Sequence, residues 1–297
     1  MAAVFLQRKD PQTADPTPGD GFAEGEGWKA HLKLGYAVSG QKSWLQRQDR
    51  NGPLFVQKPF YPEGPATCHT YIIHPPGGVV GGDRLGLDVT LDAGSQALIT
   101  APAAAKFYRS AGPAAVQINR LEVGPAAVLE WLPQETIIYD GARLRMRTLV
   151  RLAPGAGFMG WEMICLGLPA CGQRFAAGRI DQRFEIWRED RPLLIEPLNI
   201  GSADPLLNAQ WGMGGRPVIG TLAATVEQPA VVDAIRRRVT VEPGSGLFAV
   251  TRVDGLTLCR FLGDDVYTGL ELFRQAWRVL RPALKGSEVC TPRIWAT

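Results

Sequence analysis

Histidine is scarce in this chain, the cysteines form no recognisable set, and long apolar runs are missing. Its 297 residues include three histidines and five cysteines. So few histidines argue against a buried three-histidine zinc centre. Cys68, Cys165, Cys171, Cys259 and Cys290 are an odd number without CxxC spacing. Met1 leads into Gln7-Arg8-Lys9-Asp10 rather than into an apolar stretch with a cleavage site, so reduced thiols and a cytoplasmic location are expected. The longest apolar runs, such as Tyr71-Ile72-Ile73 and Ala97-Leu98-Ile99, fall far short of the roughly 20 residues a membrane helix needs. No membrane partner is expected. Nor is a nucleic acid, because 32 basic residues against 29 acidic ones leave a net charge of only +3.

Signatures of common chemistries are absent too. No serine stands in a GxSxG setting, which argues against an elbow-type hydrolase. The glycine-rich run Pro75-Pro76-Gly77-Gly78-Val79-Val80-Gly81-Gly82-Asp83 lacks both the Gly-Lys-Ser/Thr ending and the GxGxxG spacing of phosphate loops. A double turn between strands, with glycines at positive φ or in close backbone approach, is the simpler reading.

What the chain does have is punctuation. Thirty-four glycines and 23 prolines, scattered throughout, suit many short strands joined by turns, and an all-β class follows. Period-two alternation marks strands at Trp28, Ala30, Leu32, Leu34, Tyr36 and Val38, and again at Leu85, Leu87, Val89 and Leu91. It recurs at Leu144, Met146, Thr148, Val150 and Leu152, and at Ile180, Gln182, Phe184 and Ile186. A strand-turn-strand phrase repeats as VTLDAGSQALI from Val89, LEVGPAAVLEW from Leu121, VRLAPGAGFMGW from Val150 and VTVEPGSGLFAV from Val239. Repeats of about 30 residues suit a solenoid of stacked layers, although sandwich hairpins would give similar phrases.

Helices are expected to be few and short, in the C-terminal half. Val266, Leu270, Phe273, Trp277 and Leu280 follow helical spacing, with Asp264 or Asp265 as N-cap and Pro282 as stop. Weaker signals lie at 204–213 and 229–238, each with proline in the first turn. The polar, Pro/Gly-rich stretch before Trp28 predicts a disordered tail over 1–27, with one β-rich domain over 28–297.

Among groups that carry chemistry, Cys68-His69 and His74 invite a metal reading. On a strand, however, the two histidines point to opposite faces and cannot share an ion. The carboxylates Glu63, Asp83, Glu130, Glu135, Asp140 and Glu162 stand in apolar or turn segments. A pair of them could hydrolyse a glycosidic bond in a solenoid enzyme, which is the alternative reading. Spaced along an internal passage, they could instead bind a divalent ion weakly and hand it on. Arg143, Arg145, Arg147 and Arg151 share one strand face, and Arg236-Arg237-Arg238 adds a second basic cluster. Trp295, near the chain end, suits docking onto its own domain or onto a partner.

Residues 57–110, QKPFYPEGPATCHTYIIHPPGGVVGGDRLGLDVTLDAGSQALITAPAAAKFYRS, resemble the most characteristic block of UreD-type urease accessory proteins. LEWLPQETIIYDGA at 129–142, the stretch 160–186 and the closing PRIWAT extend the likeness over nearly everything after Trp28. The resemblance implies a non-enzymatic scaffold with an all-β, helix-like stack of strands. It implies as partners the urease apoprotein, a UreF-type adaptor and a UreG-type GTPase, with no tightly bound cofactor and transient nickel in an internal passage. On that reading Glu63, Asp83, Glu135, Asp140 and Glu162 line or control the passage, while Val266, Leu270, Phe273, Trp277, Arg293 and Trp295 meet the adaptor.

Overall fold

The computed structural model describes residues 25–296. The tail expected over 1–27 lies outside the described residues as far as 24, while Gly25 and Gly27 are seated against Pro113 and against Gly82 and Asp83.

The alternating segments form strands. Lys29–Ser39 (β1) buries Ala30, Leu32, Leu34 and Tyr36 and pairs antiparallel with Lys42–Asn51 (β2). Trp28 precedes that strand and is 69% exposed, so it does not share the buried face. Phe55–Val56 (β3) pairs with Cys68–Ile73 (β4). The chain then winds in coils. Arg84–Leu91 (β5), Gln96–Thr100 (β6) and Ala105–Phe107 (β7) make one; Ala115–Val123 (β8), Val128–Leu132 (β9) and Thr136–Ile138 (β10) make the next; Arg143–Leu152 (β11) and Gly157–Leu166 (β12) follow. Equivalent strands stack in parallel: β5 on β8 on β11, β6 on β9 on β12, and β7 on β10. This is the solenoid alternative of the repeat.

The first three repeat phrases are the corners between the first and second strands of successive coils. Their backbones continue the ladder around the bend: the Gly94 N–H donates to Pro125 at 2.9 Å, Val128 to Ser95 at 2.9 Å and Gly157 to Ala127 at 2.8 Å. Stacked corners satisfy backbone groups that isolated turns would leave to solvent. The fourth phrase, from Val239, is not a coil corner. It leads into the antiparallel hairpin of Gly246–Val253 (β16) and Leu256–Gly263 (β17).

Antiparallel strands finish both sheets. Arg179–Arg188 (β13) extends β11 and Arg191–Ile200 (β14) folds back on it, giving a seven-stranded sheet ordered β14-β13-β11-β8-β5-β1-β2. Val218–Ala224 (β15) joins β12 antiparallel and is followed by β17 and β16 in the opposite, ten-stranded sheet.

Pro229–Arg238 (α1) forms as its proline start predicts. The segment 204–213 does not become a helix. Only a 3-10 turn, Pro205–Leu207, forms, and Gly214 and Gly215 at positive φ turn the chain away from helical geometry. Val266–Lys285 (α2) is capped by Asp265, whose carboxylate accepts the Thr268 N–H at 2.7 Å. It runs past Pro282 to a left-handed Gly286. Pro282 sits in the final turn, and ion pairs from Arg281 and Lys285 to Glu130 of β9 and to Glu63 in the loop before β4 hold that turn in place.

α2 covers the outer face of the ten-stranded sheet, where Trp161, Phe273, Trp277 and Leu280 pack with little or no exposure. Glycines permit the close approach: a Cβ on Gly269 would lie 2.7 Å from the Phe261 ring. Between the two sheets lie two separate apolar clusters, one around Leu121, Val150, Phe158 and Phe184, the other around Leu144, Ile164, Ile180 and Ile219.

Candidate functional site

A polar layer lies between those two clusters. On the seven-stranded sheet it begins at Gln117 and Asn119 of β8, whose side chains point inward between the sheets. Asn119 donates to the Thr148 hydroxyl of β11 at 3.0 Å, and Gln117 donates to Asn119 at 3.4 Å. Thr148 bonds Glu162 of β12, which faces it from the other sheet, and Gln182 of β13 donates to the same carboxylate. Strand register carries the layer onward. Glu162 lies opposite Thr221 of β15, and Thr221 opposite Arg260 of β17. Thr221 donates to Glu196 of β14, and Arg260 pairs with Glu196 at 2.7 Å, tying the edge strand of the seven-stranded sheet to β15 and β17 of the other.

At its other end the layer meets a cavity of about 180 Å³ lined by His74, Lys106, Gln117, Asn119, Gln134 and Glu162, with two threonines and otherwise apolar residues or glycine. Such a volume holds a cation with several waters. Burial raises the Glu162 carboxyl to about 7, against hydrogen bonds from Thr148 and Gln182 that lower it and with Glu196 adding repulsion. Near neutral pH the neutral and the charged carboxyl are therefore both populated.

The five carboxylates singled out in the sequence are not gathered in one place. Glu162 alone faces the polar layer. Glu63 sits beneath the end of α2, where His69 contacts it at 2.6 Å, Arg281 at 2.5 Å and Lys285 at 3.6 Å. Burial would raise its carboxyl, but the His69 and Arg281 bonds and the Lys285 charge outweigh this and hold it at about 2. Asp83 ties a turn by accepting the N–H groups of Trp28 at 2.8 Å and Val80 at 3.0 Å. Asp140 does the same for Ala176 and Ala177, both at 2.8 Å, and these bonds keep it below the usual carboxylate range. Glu135 stands at the β10 corner, its charge felt by Cys165 and Arg274 on the α2 side of the sheet. Glu130 is buried and accepts from Trp277 at 2.8 Å and Arg281 at 3.0 Å.

Of the residues expected to meet an adaptor, Leu270, Phe273 and Trp277 lie beneath α2 in the chain's own core. Trp295 docks on the same core. Its ring is 5.7 Å from Trp161 and 5.4 Å from Trp277, and its Nε1 donates to Thr100 at 3.0 Å. Val266 is half-buried and Arg293 exposed. His69 lies under α2 and His74 at the cavity, so the two share no ion, and no group of three metal-ligating side chains occurs among the described residues. The cavity holds a single lining carboxylate, and a larger open groove at the starts of β11 and β13 is lined by none. A glycosidase needs two such groups flanking one cleft.

The glycine run is a turn segment, as expected. A Cβ on Gly78 would collide with the Tyr108 ring, and Gly82 takes φ +95°. Among the described residues no helix is long and apolar enough to cross a membrane.

Comparison with known proteins agrees with this architecture. The family model described as UreD urease accessory protein matches residues 29–296. A urease accessory protein UreD of Alkalilimnicola ehrlichii is 42% identical over 284 residues, 96% of each chain. One of Pseudomonas entomophila is 40% identical over 296 residues and 99% of each chain, and one of Klebsiella pneumoniae is 40% identical over 92% of this chain and 96% of its own. A family model that matches residues 29–296 and relatives 40–42% identical along almost the whole chain place this parallel coil stack in the UreD family of urease accessory proteins.

Proposed function

We propose that the chain is a cytoplasmic, non-catalytic scaffold that binds urease apoprotein, joins it to a UreF-type adaptor and a UreG-type GTPase, and lets nickel pass as cargo through its polar layer. The observation that carries this reading is Glu162, a buried carboxyl set between two apolar clusters, hydrogen-bonded by Thr148 and Gln182 and facing the cavity. Hydroxyl and amide oxygens at Gln117, Asn119, Thr148 and Thr221 give weak successive ligands, suited to release rather than storage. Lacking a closed cage, such a layer holds no resident metal. Glu63, Asp83, Glu135 and Asp140 contribute to the scaffold around that route, and Glu162 contributes to the route itself. The adaptor meets the outer side of α2 near Val266 and the chain end near Arg293, above the core that Leu270, Phe273, Trp277 and Trp295 build.

The test is co-expression with urease and the other accessory proteins, comparing wild type with Glu162→Leu and Glu162→Gln. Urease from the Leu variant is expected to hold several-fold less nickel, with co-purification of the partners unchanged. Full nickel occupancy with Glu162→Leu would remove the interior route. Loss of partner binding without any change in the purified chain's stability would point to docking instead.

A further inference from the structure

Outside the polar layer, an open groove of about 670 Å³ lies at the starts of β11 and β13. Arg109, Arg143 and Arg179 line it together with Ser110, Asn199 and Ser202, and its other lining residues are glycine and alanine. Its walls are pinned. The nearby Asp140 holds the loop at Ala176 and Ala177 through two N–H bonds and reaches Arg109 at 3.4 Å. The Ser202 hydroxyl accepts the Gly178 N–H at 3.0 Å and donates to the Gly178 carbonyl at 3.1 Å. Gly178 takes φ +117°, and the Arg109 side chain lies directly over Gly141.

Arg143 and Arg179 stand directly opposite each other in the β11–β13 ladder. Like charges so placed repel, and an anion between them relieves the repulsion. Each of the two has a further contact within the chain. A guanidinium carries five N–H donors, enough to serve that contact and an incoming carboxylate together. Beyond the groove the same sheet face continues with the buried Arg145 and with Arg147, both on Asp181, and with Arg183, which pairs with Glu185 at 3.1 Å.

We propose that this groove binds an acidic segment of a partner protein through paired carboxylate–guanidinium contacts. Its volume far exceeds one small anion, and no aromatic or large aliphatic side chain lines it. Donors spread along the strand ends fit several carboxylates on one extended segment. The inference rests on the scaffold reading only in taking the ligand to be a protein.

The experiment titrates the purified full chain with a fluorescent Asp/Glu hexapeptide, a Ser/Gly hexapeptide and inorganic phosphate, reading anisotropy for the peptides and calorimetry for phosphate. The acidic peptide should bind and the neutral one should not, with affinity falling as sodium chloride rises. Arg109→Gln, exposed and safe for folding, and Arg143→Gln should each weaken binding about tenfold, the cost of a charged hydrogen-bonded contact, with melting temperature as control. Equal binding by wild type and both variants overturns the proposal, as does binding of phosphate without the peptide. A variant with Asp10→Asn, Asp15→Asn, Asp20→Asn and Glu24→Gln completes the test. Peptide binding that arises only in that variant would assign the groove to the chain's own acids and overturn a partner as occupant. Because no urease is present, failure here leaves the nickel measurement untouched.

Discussion

Arg281 of α2 donates from Nε to Glu130 of the second coil at 3.0 Å, across 151 residues of sequence, and both side chains are buried. The same guanidinium reaches Glu63, and Lys285 approaches both carboxylates. Two cations and two anions thus balance under the end of α2. Arg281→Ala should cost about 3–5 kcal/mol by leaving carboxylates buried and underpaired. The urea midpoint reads this, and the double replacement Arg281→Met with Glu130→Leu should recover most of the loss. An unshifted midpoint in Arg281→Ala would show the cluster to be dispensable.

Acid should dismantle the same cluster. The folded Glu63 carboxyl is held at about 2, below its usual 4.5, so its stabilisation is complete above pH 4.5 and is lost as pH falls through 2. Melting temperatures measured between pH 5 and pH 2 should fall more steeply for wild type than for Glu63→Gln. Parallel curves would contradict the assignment.

Glu162 has the opposite sign. Its folded value near 7 lies above the unfolded 4.5, so its contribution is full below pH 4.5 and is lost as pH rises through 7. Each tenfold change in proton affinity is worth about 1.4 kcal/mol, so the loss is on the order of 3 kcal/mol. Glu162→Gln should flatten stability between pH 4.5 and pH 7. An infrared carboxyl band that is already fully ionised at pH 6 in wild type would refute the raised value.

Trp295 fixes the end of the chain by stacking on Trp161 and Trp277 and by its bond to Thr100. Trp295→Ala should cost about 2 kcal/mol, less than a fully buried tryptophan. Hydrogen exchange should then quicken at 290–296 and in the last turn of α2. If exchange there is unchanged, the ring is not what anchors the segment.

Much of this architecture is legible in the sequence, and the reasons are physical. Alternation at Leu85–Leu91 and Leu144–Leu152 reports a half-buried strand whatever its partner, so β5 and β11 follow from local pattern. Pairing direction is non-local, which is why the repeat phrases fit coils and hairpins equally until parallel register decides. At 204–213 proline and apolar spacing favour a helix, but the glycines downstream prevail.

Site residues are harder to find. Several acids stand in apolar or turn segments, yet Asp83 and Asp140 serve turn backbones and, of the five singled out, only Glu162 faces the polar layer. Thr148 and Gln182 stand at inward positions of alternating strands, an informative signal, since an uncharged polar side chain there must find a buried partner. Glu196 and Arg260 give no comparable sign, because their meeting depends on how the two sheets face each other.

Neighbouring coils lie about 4.8 Å apart, the ordinary spacing of paired strands. The row from Asn119 to its ladder partner Thr148, and on to Gln182 on the next strand, crosses one strand at each step, so its length is counted in coils rather than in loop residues. The reversed hairpins β1–β2 and β13–β14 fix that count by ending the pairing at either margin. Deleting or duplicating one coil of about 30 residues would therefore shorten or lengthen the row by a whole rung and leave both margins chemically unaltered.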